Sequence, residues 1–127
     1  MSKILSFNLQ EEKQTAVRLL CLRMGFQFLV IDPSRQNQTI GALCGITKSV
    51  SADDIKDCFK DEMLVFYGLS RDELNEFLEL MRSNNVSILL KAIVTDTNRN
   101  WTASKVFHAL QAENRKQESL KKRKKRK

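Results

Sequence analysis

The strand–helix–strand order of the first thirty residues returns sixty residues later, and this recurrence constrains the fold more than any composition does. Residues 4–7 read as a short strand. Residues 10–24 place Val17, Leu20, Cys21 and Met24 at helical spacing, with Leu19 and Leu22 widening the apolar face, and Gly25 follows as a natural left-handed stop. Residues 26–31, FQFLVI, form an apolar run that reads as a strand buried on both faces, ended by Asp32-Pro33. The second half repeats the grammar: a strand at 63–67, a helix at 70–83 with Leu74, Phe77, Leu78 and Met81 on one face, Asn84-Asn85 as its stop, and a strand at 86–94. Leu9/Leu69, Val17/Phe77, Leu20/Leu80, Cys21/Met81, Gly25/Asn85, Phe26/Val86 and Phe28/Ile88 all stand 60 apart. Identities are few, so an internal duplication and two units obeying the same physics both fit.

Two helix starts carry strong local signals. Ser70-Arg71-Asp72-Glu73 is a capping box, with Leu69 and Leu74 at the staple positions. Ser51-Ala52-Asp53-Asp54 has the same form and predicts a short helix over 52–60. Residues 39–44 read as one or two helical turns ended by Gly45. A last helix is expected from Trp101 or Thr102 to about Arg115, with Val106, Phe107 and Leu110 on one side. These elements predict a single α/β domain over residues 1–114: a βαβ unit at 3–48, the short helix, and a βαβα unit at 62–114. Its four-stranded sheet has helices packed on it, in a ferredoxin-like arrangement plus a C-terminal helix.

Charge divides the chain differently. Nine of the 22 basic residues lie in the last 13 positions: Arg115, Lys116, Lys121, Lys122, Arg123, Lys124, Lys125, Arg126 and Lys127. With Glu118 as its one acid that stretch carries +8, while the rest carries 13 basic and 14 acidic residues, a net of −1. The basic character therefore belongs to residues 115–127 and not to the body. Leu120 alone cannot offset the entropy of ordering such a segment, so the sequence predicts a disordered tail. Lys and Arg at this density neutralise phosphates, which suits RNA, a ribonucleoprotein or another polyanion. Without aromatic residues the stretch cannot stack single-stranded bases. An anionic membrane attracts it too, but no amphipathic or lipidated anchor adjoins it, so stable membrane association is not expected.

Few residues suggest chemistry. Cys21, Cys44 and Cys58 form no CxxC and have one His, His108, for company, which reads as reduced thiols in a cytoplasmic protein. No apolar run approaches the ~20 residues of a membrane span, and residues 1–7 hold no signal-peptide h-region. His108 lacks a marked nucleophile partner. Asp53, Asp54 and Asp57 cluster on the short helix, where capping and dipole explain the first two. The most suggestive loop is 95–102, TDTNRNWT, which follows a strand and opens a helix. There Thr95, Asn98, Arg99 and Trp101, with Lys91 on the preceding strand, compose a candidate anion or ligand site. In the competing reading Asn98 or Asn100 caps the helix, Trp101 packs on the sheet and Arg99 is solvated. The loop lacks the glycines of a phosphate-binding loop. Neither a catalytic set, a metal set nor a cofactor is implied. Two functions stand open: a non-enzymatic binding module whose tail contacts a polyanion, and a regulatory domain for a small ligand or anion. Homodimerisation through a sheet edge or face is compatible with both.

Residues 62–85, EMLVFYGLSRDELNEFLELMRSNN, then 89–101, LLKAIVTDTNRNW, and the helix after them resemble a small bacterial family, domain of unknown function number 3783. The likeness covers about residues 62–113. The first half fits it more loosely, and the tail lies outside it. It implies no activity or cofactor, but it suggests that Lys91 and Trp101 are family features.

Overall fold

In the computed structural model the residues described are 2–36, 38–46 and 59–125, with the backbone alone for 117–125. The expected helix at 52–60 therefore falls almost wholly outside the described residues, as do Cys58, Asp53, Asp54 and Asp57. Strands β1 (Lys3–Phe7), β2 (Gln27–Ile31), β3 (Met63–Tyr67) and β4 (Leu90–Ile93) form one sheet. Helices α1 (Glu11–Met24), α2 (Ile40–Leu43), α3 (Arg71–Ser83) and α4 (Ala103–Lys125) cover it. Short 3-10 turns at Pro33–Arg35 and Asn98–Asn100 precede α2 and α4.

The strand order is β2-β1-β3-β4. Each βαβ unit keeps its two strands adjacent and parallel, and the units meet where β1 and β3 run antiparallel. The sheet is therefore mixed. A ferredoxin-like arrangement would interleave the strands of the two units, and this one does not. The physical reason is in the strands themselves. β1 and β3 bury nearly every side chain, so both sheet faces need cover there, and they take the centre. β2 exposes Gln27 and Val30, and β4 exposes Lys91 and Ile93, so both suit an edge. The FQFLVI run, expected to be buried on both faces, is thus half-exposed.

Side-chain alternation along the central strands divides the core in two. Ile4, Leu64 and Phe66 pack under α1 and α3, with Val17, Cys21, Phe77 and Met81. Leu5, Phe7, Met63 and Val65 pack under α2 and α4, with Ile40, Leu43, Val106 and Phe107. The result is three layers, helix–sheet–helix.

The recurrence at 60 is a backbone fact. Lys3 pairs with Tyr67 and Phe7 with Met63, so the β1–β3 ladder is symmetric about Leu5 and Val65. The turn after each central strand holds a left-handed residue, Asn8 or Gly68. Helices α1 and α3 start after Gln10 and Ser70. Both end in the same way: Gly25 (φ 76°) and Asn85 (φ 58°) take the left-handed conformation that glycine and asparagine tolerate best. The next amides, of Phe26 and Val86, each donate at 2.8 Å to the carbonyls of Cys21 and Met81. There the recurrence slips by three. β2 starts at Gln27 and β4 at Leu90, and the new spacing of 63 persists. Thr39 and Thr102 form an antiparallel bridge. The amide of Ile40 donates to Trp101 O and that of Ala103 to Gln38 O, a reciprocal pair. Each threonine caps its helix, accepting from the amide of Ala42 or Lys105. Residues 86–89 are accordingly a connection and not the first half of a nine-residue strand. Val86 and Ile88 are nonetheless buried, which is why the run looked like strand.

Where a disordered tail was expected, α4 continues beyond Arg115 to Lys125. Gln, Glu, Leu, Lys and Arg are all good helix formers, so a helix already held by Val106 and Phe107 propagates readily into them.

Candidate functional site

The loop at 95–102 closes on itself. Thr95 and Asn98 exchange hydrogen bonds: the Thr95 amide donates to Asn98 Oδ1 at 2.7 Å, and the Asn98 amide donates to Thr95 Oγ1 at 3.1 Å. Asn98 Nδ2 donates to Ile93 O. Both side chains are thus committed to shaping the turn. Trp101 packs on the α2/α4 side of the core, with Lys105 Nζ 4.4 Å from its ring centre. Arg99 lies 3.9 Å from exposed Asp96, a pairing of little energetic weight. Together with Tyr67, Val94 and Ile46, Arg99, Thr95 and Asp96 line an open hollow of about 540 Å³ at the carboxyl ends of β3 and β4. An acid stands beside the arginine there, so the hollow is not a purely cationic anion site.

Lys91 is elsewhere. It alternates with Leu90 and Ala92, which pack toward α2 and α4, so it faces the α3 side of β4, the opposite side from Trp101. The sequence-predicted set is therefore not gathered in one place. Lys91 Nζ donates to the carbonyl of Ile88, and burial lowers its pKa below the usual lysine value. It lines a hollow of about 460 Å³ with Leu78, Met81, Arg82, Asn85 and Ile88. The floor is apolar and the rim carries two cations. Arg82 is tied at 3.0 Å to Glu79, while no carboxylate among the described residues pairs with Lys91.

The pseudo-symmetry explains the hollow. Leu78 stands where the first unit has Arg18, and Lys91 where it has Phe28. In the first unit Arg18 lies over the Phe28 ring, 5.7 Å from its centre, and fills the place. In the second the pair is exchanged, and the three extra residues at 87–89 lengthen the connection beside it. Sequence spacing at 60 pairs Phe28 with Ile88 and so hides this exchange; only the slipped register shows it.

Other candidates lose ground. Burial pushes the Cys21 thiol up to about 12 and that of Cys44 to about 11, which suppresses the thiolate a nucleophile needs. His108 is exposed, edge-on to Phe107. Among the described residues no three His, Cys, Asp or Glu side chains gather as metal ligands, and no helix is long and apolar enough to cross a membrane. One residue that sequence reasoning missed is Gln36, fully buried within a polar loop. It accepts from the Phe59 amide through Oε1 and donates to Asn8 Oδ1. Its backbone carbonyl accepts from the amide and hydroxyl of Ser104. Its neighbours Ser34, Arg35 and Gln38 made it look solvated, and no local pattern marks it. Of the basic stretch, Lys121, Lys122, Arg123, Lys124 and Lys125 lie on the α4 backbone, while Arg126 and Lys127 fall outside the described residues.

Residues 62–116 match the model of a family described as a domain of unknown function, DUF3783. The match runs from β3 into α4, covers the second unit with the hollow at Lys91, and stops before the run of lysines. No curated protein and no solved structure matches the chain.

Proposed function

We propose that this chain is a non-enzymatic binding module whose basic C-terminal stretch contacts a polyanion, RNA or a ribonucleoprotein being the best fit. One observation carries the reading: +8 is concentrated in residues 115–127 while the body is near neutral. Counterion release from a phosphate backbone then provides affinity without sequence readout. Helix α4 is anchored on the core by Val106 and Phe107 and carries the backbone of the stretch as far as Lys125. The raised pKa values of the buried Cys21 and Cys44 make these thiols poor nucleophiles.

The test replaces Lys121, Lys122, Arg123, Lys124, Lys125, Arg126 and Lys127 with Gln and compares RNA binding with the parent chain across a salt series. The parent should lose affinity with a log–log slope of about −5, from roughly −0.7 per neutralised phosphate on single strands. The substituted chain should bind weakly and almost without slope. Equal binding by both chains would refute the proposal.

The second reading, a small-ligand or anion-binding regulatory domain, retains support at Lys91 but not across the 95–102 loop. Thr95 and Asn98 are occupied by each other there, and Trp101 is on the other side of the sheet.

A further inference from the structure

We propose that the hollow between α3 and β4 binds a small amphipathic anion, an apolar body ending in a carboxylate, with Lys91 and Arg82 at its head. Three observations meet there. The volume, about 460 Å³, lies within the range of small-molecule sites. The floor is apolar, with Met81 and Ile88 only 3% and 2% exposed, so an apolar body gains by entering. The rim carries Lys91, Arg82, Asn85 and Ser87 and no acid.

Charge selects the ligand's head. Arg82 already answers Glu79, so the uncompensated charge at the mouth is close to the single ammonium of Lys91. That ammonium uses one of its three donors on the Ile88 carbonyl. It is also partly desolvated, a condition that an incoming carboxylate relieves. One net positive charge matches a monoanion better than a phosphate dianion. At the same place in the first unit Arg18 lies over Phe28 instead.

The site is independent of the basic stretch, and the probe is sodium octanoate. Titrated into the full chain and followed by methyl NMR, octanoate should shift the Met81 and Ile88 methyl signals saturably. Lys91→Met should weaken binding at least tenfold, Arg82→Gln by a few fold, and Lys91→Arg should retain most of it. Octanol, which lacks the charge, and acetate, which lacks the body, should each bind at least tenfold more weakly. Replacing the seven tail residues with Gln should leave octanoate binding unchanged. Lys91 is exposed at a sheet edge, so its variants should fold, and the parent's methyl shifts locate the ligand even if one does not. Octanoate shifts scattered away from Met81 and Ile88, or affinity indifferent to Lys91→Met in a folded chain, would overturn the proposal.

Discussion

On the outer face of α1, Leu19 and Leu22 stand 59% and 76% exposed; at the same two places on α3 are Glu79 and Arg82, bonded at 3.0 Å. On the inner faces the same comparison gives Val17 and Phe77, both fully buried, and Cys21 and Met81, both nearly so. The two units therefore agree where the sheet demands an apolar partner and differ where water is the neighbour. Burial fixes the character of a position and leaves its size free, provided the opposite layer compensates. The larger Phe77 does so by meeting Phe26 and Phe66 with ring centres 6.0 and 5.9 Å away. The units then diverge most at their outer strands, where a slip of three residues replaces Phe28 with Lys91.

Truncating the paired core positions tests this most severely. Phe77→Ala should cost about 3–5 kcal/mol, while Val17→Ala, which removes less volume, should cost about 2 kcal/mol by urea denaturation. Similar losses at both would mean that the two inner faces are packed alike after all. Next in size is the pair set by the slipped spacing, Gln36 and Arg99. Gln36→Leu leaves the Phe59 amide without its partner and should cost about 1–3 kcal/mol. Arg99→Leu, on the surface, should stay within about 0.5 kcal/mol.

Alkaline pH separates Cys21 from its counterpart Met81, which does not titrate. Burial raises the folded Cys21 pKa from 9.0 to about 12, so its contribution is fully present below pH 9 and is lost as pH rises toward 12. Cys21 should remove about 1 kcal/mol of stability between pH 9 and 10, and Cys44, whose pKa rises to about 11, about as much again. Cys21→Ala should roughly halve the combined slope in that window. Effects of similar size belong to the helix starts. Ser70 caps α3 in a reciprocal box with Glu73, while Gln10 gives α1 no side-chain cap. Ser70→Ala should cost about 1 kcal/mol, and Gln10→Ser should gain about 0.5 kcal/mol, both read from thermal midpoints.

What the sequence disclosed was local. The capping box at Ser70, the left-handed stops at Gly25 and Asn85, and the inner faces of α1 and α3 rest on contacts within a few residues, and the structure holds them, except that Leu19 and Leu22, read as widening the α1 face, point to water. Strand order rests on contacts sixty residues apart. Periodicity does not encode them, and the run read as buried on both faces, FQFLVI, is the edge strand β2. The extra residues 87–89 escaped because Val86 and Ile88 are as apolar as strand residues while packing from a connection. For the same reason Lys91 was grouped with the loop it precedes in sequence and not with the α3 side it faces. The helical run to Lys125 was missed because a single apolar residue, Leu120, was taken to exclude helix, whereas the helix propensity of the stretch was not weighed.

The account turns on that slip, because it sets the edge strand, the exchange of Phe28 for Lys91 and the hollow beside it. Backbone NOEs between β3 and β4 in the full chain read it directly. The account predicts Leu64 opposite Lys91 and Val65 opposite Ala92. Leu64 opposite Ile88, the register that a uniform spacing of 60 would impose, would contradict it.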